Sequence, residues 1–495
     1  MGARRPAGRR RAGGRVTGPR KGTGRGTGRG GGNRGTGRPA GPRTVQARPE
    51  SRRVRPVLDG ARLTAYDVLD GVSSRAAYAN LLLPQLLRER RLEPRDAGFA
   101  TQLAYGTLRA TGTLDAVLTG LVSRPLAELD PRVLDLLRLG AHQLVDLRVP
   151  SHAAVDTTVA LTRAIVGTGA SGLVNAVLRK VAAGGSREEW ITALGVTGDE
   201  RLALLTDHPL WIVQAWREAL GADAELEAAL LADDAAPEVH LVARHTDRDA
   251  LAADSGGDPG PWSPYAVRLH GGDPGKLTAV KDGTAAVQDE GSQLAALALS
   301  RAPLEGTDTR WLDLCAGPGG KAALLAAVRP AGVHLTAADR SEHRVELVRS
   351  ALGQEPDVEL LVADGREGPW EPGSFDRVLL DAPCTGLGAL RRRPEVRWRR
   401  TAEDVAPLAE LQRELLDAAL AAVRPGGVVA YVTCSPHTVE TVDVVATVAG
   451  RDDVELLPVA GLFPEVPDAA RGDALQLWPH RHGTDAMFVQ LLRRV

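Results

Sequence analysis

The spacing of apolar residues changes twice along this 495-residue chain. Between residues 61 and 181, apolar side chains recur every three or four positions, most clearly at residues 97–106 and 133–140. This spacing places them on one face of a helix, and Asp130-Pro131 is a typical helix start. Because no strand-like alternation interrupts the pattern, we predict an all-helical module, which we bound at residues 59–187.

A mixed pattern follows between residues 200 and 300. Helical spacing surrounds residues 211–231, a short β-like run lies at residues 239–242, and Gly/Pro-rich loops lie at residues 256–261 and 271–275. We predict a small α/β domain over residues 200–300.

From residue 301 to the end, short apolar runs alternate with helical segments, and each run ends in a polar or glycine-rich turn. The predicted strands are residues 311–314, 333–337, 358–362, 377–380 and 428–433. This alternation is typical of a doubly wound, mostly parallel sheet, whose ligands bind at the carboxyl ends of the strands. The predicted fold class is therefore α/β, with a Rossmann-like domain over residues 301–495.

Charge separates the first residues from the rest of the chain. The net charge is −1, yet residues 1–58 are rich in Gly and Arg and contain a single acid, Glu50. We predict a disordered tail that either holds RNA phosphates loosely or only aids solubility. The chain has no apolar run of the roughly 20 residues that a membrane span needs, and its basic start lacks the apolar stretch of a secretory signal. We expect a cytoplasmic protein without membrane contact.

The chain contains three cysteines, Cys315, Cys384 and Cys434. Their odd number and wide spacing argue against a disulfide framework and against a zinc cluster, so no metal site is predicted. Each cysteine lies in a Gly/Pro/Ser/Thr-rich turn just beyond an apolar run, whereas buried structural cysteines normally lie within such runs. This placement is the first indication of a chemical role.

The turn after the first strand of the Rossmann-like domain is rich in glycine and includes Cys315, Ala316, Gly317, Pro318, Gly319, Gly320 and Lys321. Its glycines let a ligand approach the backbone, and it lacks the Gly-Lys-Ser/Thr ending of a nucleotide P-loop. Asp339 and Asp364 end the next two strands, where carboxylates can bind a ribose and an adenine edge. Together they indicate an adenosine-type cofactor; helix capping is the alternative role of the two acids.

The last two predicted strands end in the other two cysteines, within Asp381-Ala382-Pro383-Cys384 and Thr433-Cys434-Ser435. Both thiols therefore lie at the ligand edge of the predicted sheet, which favours a function over a structural role. A basic run containing Trp398 follows at residues 391–400. Such runs are often solvated faces, but beside this pocket the run suits a phosphate backbone and a stacked base.

These motifs carry a resemblance to a known family. The glycine-rich turn, Asp381-Ala382-Pro383-Cys384 and Thr433-Cys434-Ser435 resemble three signature motifs of the RNA cytosine-C5 methyltransferases, and residues 288–292 resemble the segment that enters their catalytic domain. The helical module resembles the NusB fold in Tyr105-Gly106-Thr107, Leu114-Asp115 and residues 137–144 and 174–178. The combination resembles the RsmB (Sun/Fmu) subfamily, which methylates a cytosine of 16S ribosomal RNA. The resemblance covers about residues 61–495.

The resemblance implies S-adenosylmethionine as methyl donor and no metal. It implies a cofactor site formed by Cys315, Ala316, Gly317, Pro318, Gly319, Gly320, Lys321, Asp339, Asp364 and Asp381. It also implies that the Cys434 thiolate attacks C6 of the cytosine, that Cys384 assists product release, and that Asp381 stabilises charge on the ring. DNA cytosine-C5 methyltransferases attack with a Pro-Cys cysteine, which Pro383-Cys384 superficially matches, but the two cysteines together match the RNA enzymes.

The implied substrate is 16S ribosomal RNA, either naked or in an early assembly intermediate, at the cytosine numbered 967 in the family's RNA, and the implied enzyme is a monomer. Three alternatives remain open. The same chemistry could act on transfer RNA or on large-subunit ribosomal RNA. A non-catalytic NusB-like RNA-binding or antitermination factor would not need both cysteines and the cofactor turn. A small-molecule methyltransferase would need neither the thiols nor the basic flank.

Overall fold

The computed structural model describes residues 58–495. The basic tail predicted for residues 1–58 therefore lies, except for its last residue, outside the described residues. Within the described residues, no helix is both long enough and apolar enough to cross a membrane.

The first part of the described chain is helical, as the apolar spacing predicts. Its helices are α1 (Gly60–Arg75), α2 (Ala79–Arg90), α3 (Pro94–Arg109), α4 (Thr111–Thr119), α5 (Pro131–Val145), α6 (Ser151–Ile165) and α7 (Thr168–Ala183). Asp130 caps α5 by accepting a hydrogen bond from the Arg132 backbone N at 3.0 Å, and Pro131 occupies the first helical position. Buried leucines such as Leu103, Leu114 and Leu136 form the interior of this module.

Four further helices lead out of the module: α8 (Arg187–Ala193), α9 (Gly198–Leu205), α10 (Leu210–Leu220) and α11 (Leu226–Asp234). Trp216 of α10 is fully buried in an apolar cluster that also contains Leu387, Leu390 and Trp478 from the last third of the chain. The helical part of the mixed region therefore packs on the Rossmann-like domain.

A small antiparallel sheet follows, in the strand order β2-β3-β1-β4. Its elements are β1 (Val239–Ala243), α12 (Arg248–Ser255), β2 (Asp258–Pro259), β3 (Ala266–Leu269), α13 (Thr278–Lys281) and β4 (Ala285–Val287). Helix α14 (Glu290–Arg301) comes next, within the range we predicted for the small domain. Its apolar face, including Leu294, packs in the same core as Trp311 and Leu325. This helix is therefore part of the larger domain by packing.

The remaining elements are β5 (Arg310–Asp313), α15 (Gly320–Val328), β6 (His334–Asp339), α16 (Glu342–Leu352), β7 (Val358–Val362), β8 (Phe375–Asp381), α17 (Val396–Arg399), α18 (Val405–Ala422), β9 (Val423–Thr433), α19 (Val442–Ala446), β10 (Val454–Leu457), β11 (Ala470–Arg471), β12 (Ala474–Gln476), α20 (Pro479–His482) and β13 (Phe488–Arg494). The five predicted strands correspond to β5 to β9. Strands β10 to β13, which the sequence pattern did not predict, extend the sheet.

The large sheet has nine strands within the described residues, in the order β11-β12-β13-β9-β8-β5-β6-β7, with β10 also paired to β13. Strands β5 to β9 run parallel, and β13 is antiparallel to β9. The strand order reverses between β5 and β8, because the chain proceeds outward through β6 and β7 before it returns to β8. A ligand crevice is expected outside the carboxyl ends of β5 and β8. The Rossmann-like fold is confirmed.

Candidate active site

The glycine-rich turn joins β5 to α15 at the expected crevice. Gly319 has φ 108°, and a Cβ at this position would lie 2.7 Å from the Cβ of Ala351 in α16. A Cβ on Gly317 would lie 2.6 Å from Oδ2 of Asp339. Any side chain at either glycine would therefore push the turn away from its neighbours.

The two predicted acids differ in their surroundings. Asp339 is buried at the end of β6, where its Oδ2 accepts from the Gly317 backbone N at 3.1 Å and its Oδ1 accepts from the Ser341 backbone N at 3.0 Å. Asp364 accepts from the backbone N of Arg366 at 3.1 Å and pairs with the Arg366 guanidinium at 2.8 Å, which lowers the pKa of Asp364 to about 2. Asp339 thus holds the turn in place, whereas Asp364 makes local capping contacts.

Asp313 is a third carboxylate beneath the turn, and the sequence reasoning gave it no role of its own. It is fully buried, and neither carboxylate oxygen has a hydrogen-bond partner of acceptable geometry within the described residues. Burial, together with the nearby charge of Asp381, raises the pKa of Asp313 to about 8. A buried carboxylate without a partner at the predicted cofactor turn is an observation that a bound group would explain.

The two remaining cysteines meet at the same edge of the sheet. Parallel pairing places Asp381 of β8 opposite Val432 of β9, and the chain beyond each strand then brings Sγ of Cys384 within 3.4 Å of Sγ of Cys434. The Gly388 backbone N also donates to the Cys434 carbonyl at 2.9 Å. Both thiols are half-buried.

The three thiols differ in acidity. A hydrogen bond from the Cys384 thiol lowers the pKa of Cys434, and the positive charges of Lys321 and Arg393 act in the same direction, against burial and the charge of Asp381. The same contact and burial raise the pKa of Cys384. Burial also raises the pKa of Cys315. Since the thiolate is the nucleophilic form, Cys434 is the most reactive of the three.

Lys321 connects the turn to the thiol region, because its Nζ donates to Oδ2 of Asp381 at 2.8 Å. Burial opposes the charge on Lys321, but the charge of Asp381 and this hydrogen bond raise the pKa of Lys321 overall. A predicted cofactor residue and a predicted catalytic residue are therefore directly paired.

The lowered pKa of Cys434 predicts how the alkylation rate of this thiol depends on pH. In the absence of RNA, alkylation of Cys434 by iodoacetamide is expected to reach half its maximal rate below pH 8.5, about the pKa of an ordinary thiol. Reactivity should be lost as the pH falls through this depressed pKa. Cys384→Ala removes the donor and should move the midpoint upward, with Cys384→Ser intermediate. Mass spectrometry of the Cys434 peptide measures each profile; an identical midpoint in Cys384→Ala would contradict the assigned cause.

The sequence reasoning missed the residue that joins the two thiol loops. Glu440 is fully buried in the turn after β9 and accepts hydrogen bonds from the Thr385 backbone N and from Oγ of Ser435, both at 2.7 Å. Gln412 of α18 donates to Glu440 at 3.2 Å and to the Pro383 carbonyl at 2.8 Å. No spacing or composition signal distinguishes this glutamate in the sequence.

The basic run at residues 391–400 does not form the nucleic-acid surface that we predicted. Arg391 is buried and pairs with Asp485 at 2.7 Å, and Arg397 is fully buried and pairs with Asp234 at 2.6 Å. Trp398 donates through Nε1 to the Leu108 carbonyl of α3 at 2.8 Å. The prediction is wrong for these three residues, because distant parts of the fold supply partners for them.

Arg393 is the exception within the basic run. It is exposed, and its charge acts on the pKa of Cys434. It therefore remains available for a phosphate group near the thiol pair.

A cleft of about 1000 Å³ lies between the helical module and the small sheet. It contains neither the glycine-rich turn nor either thiol of the pair, and three of its arginines, Arg187, Arg391 and Arg392, are paired with aspartates. The cleft is therefore not the candidate active site.

The fold and site together define the class of the larger domain. A Rossmann-like sheet carries a glycine-rich turn and acidic strand ends at its ligand edge, an arrangement typical of enzymes that bind an adenosine-containing cofactor, and a pair of thiols lies at the same edge. Comparison with known proteins identifies the class as a methyltransferase. The family described as "16S rRNA methyltransferase RsmB/F" matches residues 300–493, and the NusB family matches residues 59–183.

Several relatives are similar over nearly their whole length. A Mycobacterium tuberculosis protein that is named a putative methyltransferase is 53% identical over 458 residues, which are 90% of this chain and 99% of the relative. The ribosomal RNA small subunit methyltransferase B of Pseudomonas syringae pv. tomato is 34% identical over 88% of this chain and 97% of its own. The solved structure of PH0851 shares the fold, with a TM-score of 0.76 at 21% identity over 88% of this chain and 98% of its own.

The chain therefore belongs to the RsmB/F family of 16S ribosomal RNA methyltransferases and carries a NusB-like helical module in front of the catalytic domain. The resemblance stated from the motifs is confirmed.

Proposed function

We propose that this protein methylates C5 of one cytosine in 16S ribosomal RNA, with S-adenosylmethionine as methyl donor and the Cys434 thiolate as nucleophile. The observation that carries the proposal is the thiol pair, with its sulfur atoms 3.4 Å apart, at the ligand edge of the sheet. The hydrogen bond from Cys384 lowers the pKa of Cys434 and so favours the thiolate. A methyltransferase whose substrate atom is already a strong nucleophile would not need an activated thiol.

The residues around the turn fit this cofactor. S-adenosylmethionine, when bound, supplies an electrophilic methyl group on a sulfonium cation. Three carboxylates, Asp313, Asp339 and Asp381, end strands β5, β6 and β8, and the two unpartnered oxygens of Asp313 lie directly beneath the turn. Carboxyl oxygens at three strand ends suit a sulfonium cation better than the diphosphate of a dinucleotide, and a bound cation would lower the raised pKa of Asp313.

We assign the cofactor site to Cys315, Ala316, Gly317, Pro318, Gly319, Gly320, Lys321, Asp339, Asp364 and Asp381. In this assignment the residues of the turn border the donor, and Asp339 and Asp364 take its adenosine part.

The chain's own residues then act on the base. The Cys434 thiolate forms a carbon–sulfur bond at C6, and the displaced electron pair makes C5 nucleophilic toward the methyl group. Asp381 lies at the N3 edge of the ring, where a proton taken up from solvent at N3 balances the negative charge that the thiolate brings, and the carboxylate accepts the hydrogen bond of the resulting N3–H. After transfer, water takes the C5 proton with the help of Cys384, the electron pair of the C5–H bond forms the C5–C6 double bond again, Cys434 leaves as thiolate, and N3 returns its proton to solvent.

The proposed partner is 16S ribosomal RNA, as naked RNA or in an early assembly intermediate, bound by one copy of the chain. Membership of the RsmB/F family supports the ribosomal target, and the relative in Pseudomonas syringae is named for the small ribosomal subunit. The target base must be reached in a single strand or flipped out of a helix. Arg393 is exposed near Cys434 and supplies a positive charge for a flanking phosphate.

Bisulfite mapping tests the function. Ribosomal RNA from cells with and without the gene is converted and sequenced, and one cytosine of 16S RNA, the family's position 967, is expected to resist conversion only when the gene is present. Restoration by the wild-type chain and not by Cys434→Ala links the mark to the active site. Identical conversion in both strains, or a mark confined to another RNA, would refute the proposed substrate.

The cofactor assignment predicts that one methyl group added to the glycine-rich turn strongly weakens cofactor binding. Gly317→Ala places a Cβ 2.5 Å from Nε of Arg344 and 2.6 Å from Oδ2 of Asp339, so the turn must shift. We expect S-adenosylmethionine affinity, measured by calorimetry, to fall by at least about tenfold, or about 1.4 kcal/mol. Gly450→Ala is the matched control, because its Cβ would meet no atom within 4 Å. Equal affinity in the two variants would contradict the assignment.

A further inference from the structure

We propose that Glu440 is a positioning residue that sets the distance between the two thiols and, through it, the ionisation of Cys434. No hydrogen bond joins Glu440 to either sulfur atom. Its carboxylate accepts from the backbone N of Thr385, which follows Cys384, and from Oγ of Ser435, which follows Cys434. One buried side chain thus holds the residue next to each thiol.

The hydrogen bonds around Glu440 fix both sides of the Cys384 loop. Oγ1 of Thr385 also donates to the Glu440 carboxylate. Gln412 donates to the Pro383 carbonyl on the other side of Cys384 and to Glu440. The Tyr431 hydroxyl donates to the Glu440 carbonyl at 2.7 Å and lies 3.2 Å from Oε1 of Gln412. The network therefore connects β9, α18 and both thiol loops.

This rigidity matters because the thiol–thiol contact is the principal influence that lowers the pKa of Cys434. A sulfur hydrogen bond at 3.4 Å weakens when either loop shifts. A carboxylate is suited to this position, because it presents only acceptors to the Thr385 and Ser435 donors. An amide of the same size can keep the bond from the Thr385 backbone N only if its NH₂ group faces the two hydroxyls. Both hydroxyls must then turn from donor to acceptor, and every bond loses the assistance of the carboxylate charge.

The decisive experiment measures thiol reactivity in the full-length protein without RNA or cofactor. Glu440→Gln is expected to move the midpoint of Cys434 alkylation toward that of an ordinary thiol. Each pH unit of that movement lowers the alkylation rate about tenfold at a pH below both midpoints. Asp443→Asn is the matched control: it removes the same charge three residues later on an exposed side chain, and its profile should equal that of the wild type.

A second pair of variants keeps the test decisive if Glu440→Gln fails to fold. Thr385→Val removes one hydroxyl donor to the carboxylate, and Thr385→Ser retains it, so only the valine variant should shift the alkylation midpoint. A folded Glu440→Gln with the wild-type midpoint, or a Thr385→Val that equals Thr385→Ser, overturns the proposal.

The role of Glu440 in catalysis rests on the proposed function, but its effect on the thiols does not. If Glu440→Gln shifts the alkylation profile while the wild type methylates no RNA, the proposed function fails and the positioning role stands. If the wild type methylates RNA and Glu440→Gln alkylates normally, the positioning role fails alone.

Discussion

Cys434→Ala is expected to abolish methyl transfer, while Cys384→Ala is expected to leave the protein covalently attached to its RNA. Without the Cys434 thiolate no carbon–sulfur bond can form at C6, and C5 remains a poor nucleophile. Removal of an essential nucleophile typically lowers kcat by roughly 10⁴- to 10⁶-fold. Without Cys384 the bond at C6 can still form, but the C5 proton and the enzyme thiol leave slowly, so the adduct accumulates.

A denaturing gel with labelled RNA and S-adenosylmethionine distinguishes the two variants. The Cys384→Ala lane should contain a shifted protein–RNA band that is absent for Cys434→Ala and for the double variant. Because the pKa of Cys434 rises when Cys384 is removed, adduct formation by Cys384→Ala should be faster at alkaline pH. The double variant retains Cys315 and is the control, since this thiol has a raised pKa and should contribute no attack. An adduct in Cys434→Ala would assign the nucleophile to the other thiol.

The spacing of apolar residues predicted those helices and strands whose pattern is complete within one stretch of the chain. Strands β5 to β9 are short apolar runs that end in glycine or polar turns, and the helical module shows its apolar spacing within each helix. Strands β11 and β12 have two and three residues, too few to show a period. Strand β11 pairs with β12, and β12 in turn pairs with β13. Long-range pairing, not local preference, decides such strands.

The candidate site likewise contains residues that local sequence predicts and residues that it does not. The turn at residues 315–321 and the two thiol loops are continuous stretches of sequence, and their order along a doubly wound sheet is sufficient to predict that they lie at one edge. Glu440 and Gln412 are different, because each acquires its role from partners in separate elements. The acidity of Cys434 likewise depends on a contact between loops 50 residues apart.

Residues 391–400 show why charge alone misled the sequence interpretation. A run of arginines is indistinguishable in sequence from a phosphate-binding surface, and only the fold shows which guanidinium groups face aspartates. Asp234 lies about 160 residues before its partner Arg397, and Asp485 lies about 90 residues after its partner Arg391. The run is therefore mainly an internal connection between the catalytic domain and the helices that precede it.

Arg397→Ala is expected to destabilise the protein by about 3–5 kcal/mol, the usual cost of removing one partner of a buried ion pair. Arg397 is fully buried, and its Nη1 donates to Asp234 at 2.6 Å and to the Asp207 carbonyl at 2.8 Å. Burial raises the pKa of the neighbouring Asp233 to about 8, and the charge of Arg397 is the largest influence that opposes this rise. Arg397→Met keeps most of the volume and should be less destabilising. The shift of the urea-unfolding midpoint measures each effect.

Arg393→Ala is the matched comparison, four residues earlier in the same run. This side chain is exposed, so its loss should leave the unfolding midpoint unchanged. If it contacts a phosphate, RNA affinity should fall and the slope of log affinity against log salt should decrease by about 1. The opposite result would be an Arg397→Ala variant that is as stable as the wild type and whose RNA affinity depends less steeply on salt. That result would show that the buried part of the run binds RNA. Comparison of the two variants thus distinguishes an arginine that stabilises the fold from an arginine, four residues earlier, that binds the substrate.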